Sequence, residues 1–268
     1  MKSGMDTQLK NKTALVTGST AGIGLAIATG LAREGANVIV NGRTKARVEE
    51  AVALIKKEVP GASVQGIETD FSKKAEIDGI ISKFPNVDIL VNNVGIFEPK
   101  NFTDIPDEDW NRFFEVNVLS GVRLSRAYLP SMLKKNWGRI LFISSESGVQ
   151  IPEEMIHYGV TKSAQISLGR GLAELTKGTN VTVNSVLPGP TRSEGVEGFL
   201  QNLAKQQNTD VNSVEKAFFQ HARPSSLIQR FATVEEVANL VVYLASPLSS
   251  ATNGAALRVD GGVVKSAF

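Results

Sequence analysis

The chain has 268 residues, 42% hydrophobic and 21% charged, with a formal net charge of +2 at pH 7. That length fits one α/β unit and that apolar share fills a core. The composition excludes a disordered chain, and the mild charge excludes a dedicated nucleic-acid or membrane surface. With no cysteines, disulfides and thiolate metal sites are excluded. Residues 1–12 are polar with no apolar stretch of signal-peptide length, and no apolar run approaches about 18 residues, so a cytoplasmic protein is expected.

In chain order, residues 14–16 form a short β-type run ending at Thr17-Gly18, and Gly22, Ile23 and Gly24 lead into a helical period closed by Gly35. Residues 38–40 are a second strand, followed by Asn41-Gly42-Arg43-Thr44, a helix over 45–58 and a Pro60-Gly61 turn. A third strand over 64–67 ends near Asp70, and a helix spans 73–83. A buried fourth strand over 88–91 ends at Asn92-Asn93, and two long helical patterns fill 107–135. A fifth strand over 139–143 ends at Ser144-Ser145, the helix bearing Tyr158 extends to 176, and a sixth strand over 181–187 stops at Pro188-Gly189-Pro190. The segment 191–230 is polar and helical only in places; Thr233 caps a helix to 244, and 256–259 is a last strand.

Strands alternating with helices predict an α/β fold: one Rossmann-type doubly wound parallel sheet of about seven strands with helices on both faces. The strand runs are apolar without clean alternation, as strands covered on both faces are. One domain over 1–268 is expected, with 191–230 as a substrate lid where the alternation lapses.

Two patterns carry chemistry. Thr17-Gly18-Ser19-Thr20-Ala21-Gly22-Ile23-Gly24 lies between a strand and a helix, where glycines admit a pyrophosphate to the free N–H groups of the helix start. Tyr158 and Lys162 stand four apart, one helical turn on one face. An ammonium there is expected to lower the phenol pKa from its usual value of about 10, suiting it to proton transfer near neutrality. With two histidines and no carboxylate cluster, no metal site is expected.

These motifs resemble the short-chain dehydrogenase/reductase family. Thr17–Gly24, Asn92-Asn93-Val94-Gly95, Asn117, Ser145 and Tyr158/Lys162 appear in the family's order, with the match running from about Lys12 to Gly262. The resemblance implies catalysis by Asn117, Ser145, Tyr158 and Lys162. Ser145 is selected because the family's serine precedes its tyrosine by thirteen residues. It also implies that Lys162 holds the nicotinamide ribose and that Asn117 supports a water linking the lysine to solvent. The implied cofactor-binding residues are Gly18, Ser19, Thr20, Gly22, Ile23, Gly24, Arg43, Thr44, Asp70, Phe71, Asn93, Gly95, Tyr158, Lys162, Pro188, Gly189 and Thr191. An acid at the end of the second strand would select NAD. Here Arg43, aided by Thr44, suits a 2′-phosphate, so NADP(H) is expected ahead of NAD(H).

The expected activity is interconversion of a carbonyl and a secondary alcohol by hydride transfer on a small-molecule substrate. The alternative is a non-catalytic NAD(P)-binding sensor or scaffold on the same fold. A homodimer or homotetramer is implied by resemblance. Val149, Glu154, Met155 and Phe199 are candidates for substrate contact, while His157 is expected at the surface and Glu146, Glu153 and Glu154 in solvent.

Overall fold

The computed structural model describes residues 6–267. Seven strands form one sheet: β1 (Thr13–Val16), β2 (Asn37–Gly42), β3 (Val64–Glu68), β4 (Ile89–Asn92), β5 (Gly138–Ile143), β6 (Val181–Pro188) and β7 (Ala256–Val259). All pair in parallel in the order β3-β2-β1-β4-β5-β6-β7. The order reverses between β1 and β4, and in open α/β sheets ligands bind at the carboxyl ends of the strands beside such a reversal.

Each strand is apolar on both sides because helices cover both faces. Ala14 and Val16 of β1 join one core with Leu141 and Ile143 of β5. Helices α1 (Gly22–Arg33), α2 (Lys45–Glu58) and α9 (Val234–Ala245) pack there. Leu15, Ile140 and Phe142 point the other way, under α3 (Lys74–Lys83), α5 (Ser120–Lys134) and α6 (Ile156–Glu174). The expected Rossmann-type doubly wound sheet is therefore present, and the α2 limits match the predicted ones.

The two helical patterns predicted over 107–135 are present and are joined by an irregular turn. Helix α4 (Asp107–Phe114) passes through one π-helical turn, Glu115–Leu119, before α5 begins. Such a turn carries one extra residue and frees a carbonyl from the regular ladder. The segment 191–230 holds α7 (Glu194–Gln206) and α8 (Val211–His221), which close over a small core of Leu200, Val214, Phe219 and Phe231. Its two ends are pinned side by side by a parallel bridge between Thr191 and Ala232.

Phe142 is fully buried among Leu124, Tyr128 and Met132 on the β5 face. Phe142→Ala is expected to cost about 3–5 kcal/mol, cavity included; denaturant unfolding that shows less than about 1 kcal/mol would contradict the packing described.

Candidate active site

The glycine loop is built by neighbours that the sequence motif does not contain. Gly18 and Gly22 take positive φ values of 59° and 54°. Asn93 donates from Nδ2 to the Thr17 and Gly18 carbonyls at 3.0 and 2.9 Å. Asn41, wholly buried at the end of β2, accepts from the Gly18 amide at 3.0 Å. A Cβ on Gly24 would lie 2.5 Å from Asn93 Nδ2, so only glycine permits this crossing. Ala21 precedes α1 with no side-chain cap. The first N–H groups of α1 thus keep the donors and partial positive charge that suit a phosphate. The Ser19 hydroxyl is committed to the Val16 carbonyl at 2.6 Å, so its side chain serves the loop itself.

Lys162 sits at the centre of the site and is 4% exposed. Its Nζ donates to the Ile143 carbonyl at the end of β5 (2.8 Å) and to Gln165 Oε1 (3.1 Å). Burial pushes the ammonium down to about 7. Gly95 lies directly above, where a Cβ would stand 3.4 Å from Nζ. Asn117 occupies the π-helical turn. Its side chain clamps Ile96 in both directions, accepting from the amide at 2.8 Å and donating to the carbonyl at 3.0 Å. It also donates to Thr161 Oγ1 at 3.0 Å.

Gln165 was not singled out from the sequence. It is 2% exposed and donates from Nε2 to the Asn117 carbonyl at 2.6 Å. With its oxygen on Lys162, this amide is a fixed link between the lysine and the carbonyl freed by the π-helical turn. The i, i+3 spacing from Lys162 was the available sequence signal.

Tyr158 is half-buried, with its ring 5.6 Å from Lys162 Nζ and edge-on to Phe97 at 6.3 Å. The expected acidification by the lysine is not what this geometry gives. Burial dominates and pushes the phenol up, opposed by the neighbouring Ser145 hydroxyl. The lysine amine is turned toward the strand end, where its own charge is disfavoured.

Ser145 donates to Glu146 Oε2 at 2.5 Å and accepts from the Ser147 amide at 3.1 Å. Glu146 is not in solvent: it is 5% exposed, and its other oxygen takes Arg223 Nε at 3.2 Å. Arg223 also reaches Glu154 at 3.2 Å. His157 is likewise not at the surface. It is fully buried against Phe113, with ring centroids 4.0 Å apart, and burial lowers its pKa.

At the far end of the cleft, Arg43 is exposed and makes no ion pair within the described residues, whereas Lys45 pairs with Glu49 and Arg47 with Glu194. Thr44 caps α2. Hydrogen bonds from Ser72 hold the Asp70 carboxyl below its ordinary value. The Phe71 ring is in the core, leaving only its backbone for a ligand. Gly189 leaves no room for a Cβ against Asp260, and Thr191 Oγ1 donates to the Gly189 carbonyl at 2.9 Å. Pro188 ends β6 beside them.

Lys162 gives a signed pH dependence. Its pKa is 10.5 in the unfolded reference and about 7 when folded. Between those values the unfolded chain binds more protons, so this group's contribution makes stability rise with pH and fall as pH drops toward 7. The stability of Lys162→Met minus that of the native chain is therefore expected to shrink as pH rises from about 7 to 10. Thermal unfolding that shows a constant difference would refute the buried ammonium.

A profile described as short chain dehydrogenase matches residues 12–205. The chain is 51% identical to an uncharacterized oxidoreductase, YvaG, of Bacillus subtilis, covering 98% of this chain and 100% of that one. It is 35% identical to D-beta-hydroxybutyrate dehydrogenase of Cupriavidus necator, over 96% of this chain and 99% of that one. The crystal structure of L-sorbose reductase from Gluconobacter frateurii, complexed with NADPH and L-sorbose, superposes with a TM-score of 0.91 at 32% identity, covering 98% and 100% of the two chains. With the profile matching residues 12–205 and the relatives nearly the whole length, the chain belongs to the short chain dehydrogenase family and is an oxidoreductase.

Proposed function

We propose that the protein is an NADP(H)-dependent reductase and dehydrogenase that interconverts a carbonyl and a secondary alcohol, as a single domain with 191–230 as its substrate lid. The observation that carries this reading is the convergence of Tyr158, Ser145 and Lys162 at the carboxyl end of β5, beside the uncapped start of α1. The NADPH bound by the L-sorbose reductase supports the cofactor class.

The residues fit a dinucleotide. Gly18, Thr20, Gly22, Ile23 and Gly24 with the α1 N-terminus would hold the pyrophosphate; Asp70 and the Phe71 backbone the adenine; and Gly95, Lys162, Pro188, Gly189 and Thr191 the nicotinamide end. The nicotinamide supplies or accepts the hydride when bound.

The chain's part is proton placement. Tyr158 is protonated at rest because burial opposes its phenolate, which suits donation to an alkoxide as a carbonyl is reduced. In oxidation the phenol first gives up its own proton, and the phenolate oxygen then takes up the alcohol proton. Ser145 has one hydroxyl proton and directs it at Glu146. Turning it toward the substrate oxygen supplies a second donor where negative charge develops, with Glu146 still held by Ser147 and Arg223. Asn117 acts through the Ile96 and Thr161 contacts, which fix the floor under Tyr158.

Tyr158→Phe is expected to lower kcat by about 100-fold or more while NADPH affinity, followed by cofactor fluorescence, is retained. Turnover surviving in that variant would remove the phenol from the chemistry. NADPH is expected to bind more tightly than NADH, with Arg43→Ala weakening NADPH by about tenfold and leaving NADH unchanged. Equal affinities for the two cofactors in the native chain would overturn the assignment of Arg43.

A further inference from the structure

The substrate-facing side of the Tyr158 site contains a charge arrangement that no sequence motif announces. Glu146 follows Ser145 directly, and its carboxylate is saturated. Oε2 accepts from Ser145 Oγ, from the Ser147 amide at 2.6 Å and from Ser147 Oγ at 2.9 Å, and Oε1 accepts from Arg223 Nε. Arg223 comes from the far side of the cleft, just after α8, and its side chain is 11% exposed. Its Nη1 donates to Glu154 Oε1 at 3.2 Å and to the Ala222 carbonyl at 2.8 Å, and its Nη2 has no hydrogen bond to a described residue. Glu154 keeps a second oxygen and a side chain that is 45% exposed. Glu146 and Arg223 both act on the Tyr158 phenol, the carboxylate pushing it up and the guanidinium pulling it down, so the cluster stands close to the reacting group.

The balance of this wall is two carboxylates against one guanidinium, one net negative charge. Glu153, exposed beside Glu154, adds to that sign. Beyond Arg223, whose charge is already counted, the cations nearby among the described residues are paired or turned away. Lys100 is paired with Asp109 at 2.6 Å and Arg112 with Glu98 at 2.8 Å. Lys162 turns inward to the Ile143 carbonyl, and burial disfavours the charged form of His157. A carboxylate on the substrate would meet like charge here, chiefly from the half-exposed Glu154 carboxylate, at a strength that salt screens. Hydroxyl groups meet matched partners: the open oxygen of Glu154 accepts, and Arg223 Nη2 donates.

We infer that this site takes an uncharged, polyhydroxylated ketone and discriminates against ketones that carry a carboxylate, with Glu154 and Arg223 as the residues that read the difference. The inference rests on the oxidoreductase reading above and concerns only which carbonyl compound is accepted. It separates the chain from a hydroxy-acid specificity on the basis of its own charges.

The test uses a matched pair: a neutral ketohexose (sorbose or fructose) and 5-ketogluconate, which has the same carbon count and one carboxylate. NADPH oxidation is measured on the full chain, with Tyr158→Phe as the control for chemistry. A kcat/KM for the ketohexose at least about tenfold above that for the keto acid is expected, the size of a single unfavourable charge contact. Glu154→Gln is expected to narrow that ratio from both sides, raising KM for the ketohexose and lowering it for the keto acid, with kcat little changed. Added salt is expected to narrow it in the native chain by screening the repulsion. Preference for the keto acid, or a ratio that neither Glu154→Gln nor salt moves, would overturn the inference while leaving the oxidoreductase reading intact. Failure of every ketone, with activity in Tyr158→Phe no different from the native chain, would instead sink the proposed function and this inference with it.

Discussion

A single ammonium group inside the protein sets the terms for the site. Lys162 Nζ needs acceptors because a buried charge without them is strongly unfavourable. It finds the Ile143 carbonyl at the end of β5 and the Gln165 oxygen one turn along α6. The demand propagates outward. Gly95 packs against the amine, where a Cβ would stand 3.4 Å from Nζ, and Gln165 must keep its other end on the Asn117 carbonyl to stay in place. Asn117 in turn fixes Ile96 and Thr161, and Thr161 donates to the Tyr158 carbonyl at 2.7 Å. The floor, the strand end and the helix bearing the phenol are thus fastened to one another around that atom.

The region from 191 to 230 is tied down at many points. Its ends meet at the Thr191–Ala232 bridge, and its aromatic core stacks Phe218 on Phe231 at 5.0 Å. A Cβ on Gly22 would lie 3.2 Å from Ser193, so this segment starts directly over the glycine loop. Arg47 of α2 reaches Glu194 at 3.0 Å, while Arg223 anchors the opposite side on Glu146. The exposed Arg47 pair adds little. The buried Arg223 pair matters more, because removing the guanidinium would leave Glu146 uncompensated inside the protein.

What could be read from the chain beforehand was whatever depends on short spacing. The glycine loop, the Tyr158/Lys162 turn and the seven strands each lie within a few residues, and apolar runs bounded by glycine, proline and asparagine mark strand ends directly. Arg223 and Glu146 are 77 residues apart, and Gln165 and the Asn117 carbonyl 48 apart. No local pattern pairs such groups; only the fold does. The expected exposure of His157 and Glu146 failed for the same reason. A histidine beside a tyrosine and a glutamate in a serine-rich loop read as surface residues until α4 covers the first and the end of α8 supplies a guanidinium to the second. The phenol's pKa moved opposite to expectation because burial, which short spacing does not reveal, outweighs the nearness of the amine.

The π-helical turn at Glu115–Leu119 lets one rod serve two masters. In a regular helix Phe113 and Leu124 would project from nearly the same side. Here Phe113 faces His157 on α6, while Leu124 faces the sheet core. The extra residue resets the phase by roughly a quarter revolution, so the first half of the rod walls the cleft and the second half roofs the sheet. A deletion of one residue there would restore ideal helix geometry and yet misdirect every side chain on one half. Local regularity and global fit are opposed at that point, and the chain has kept the irregular solution.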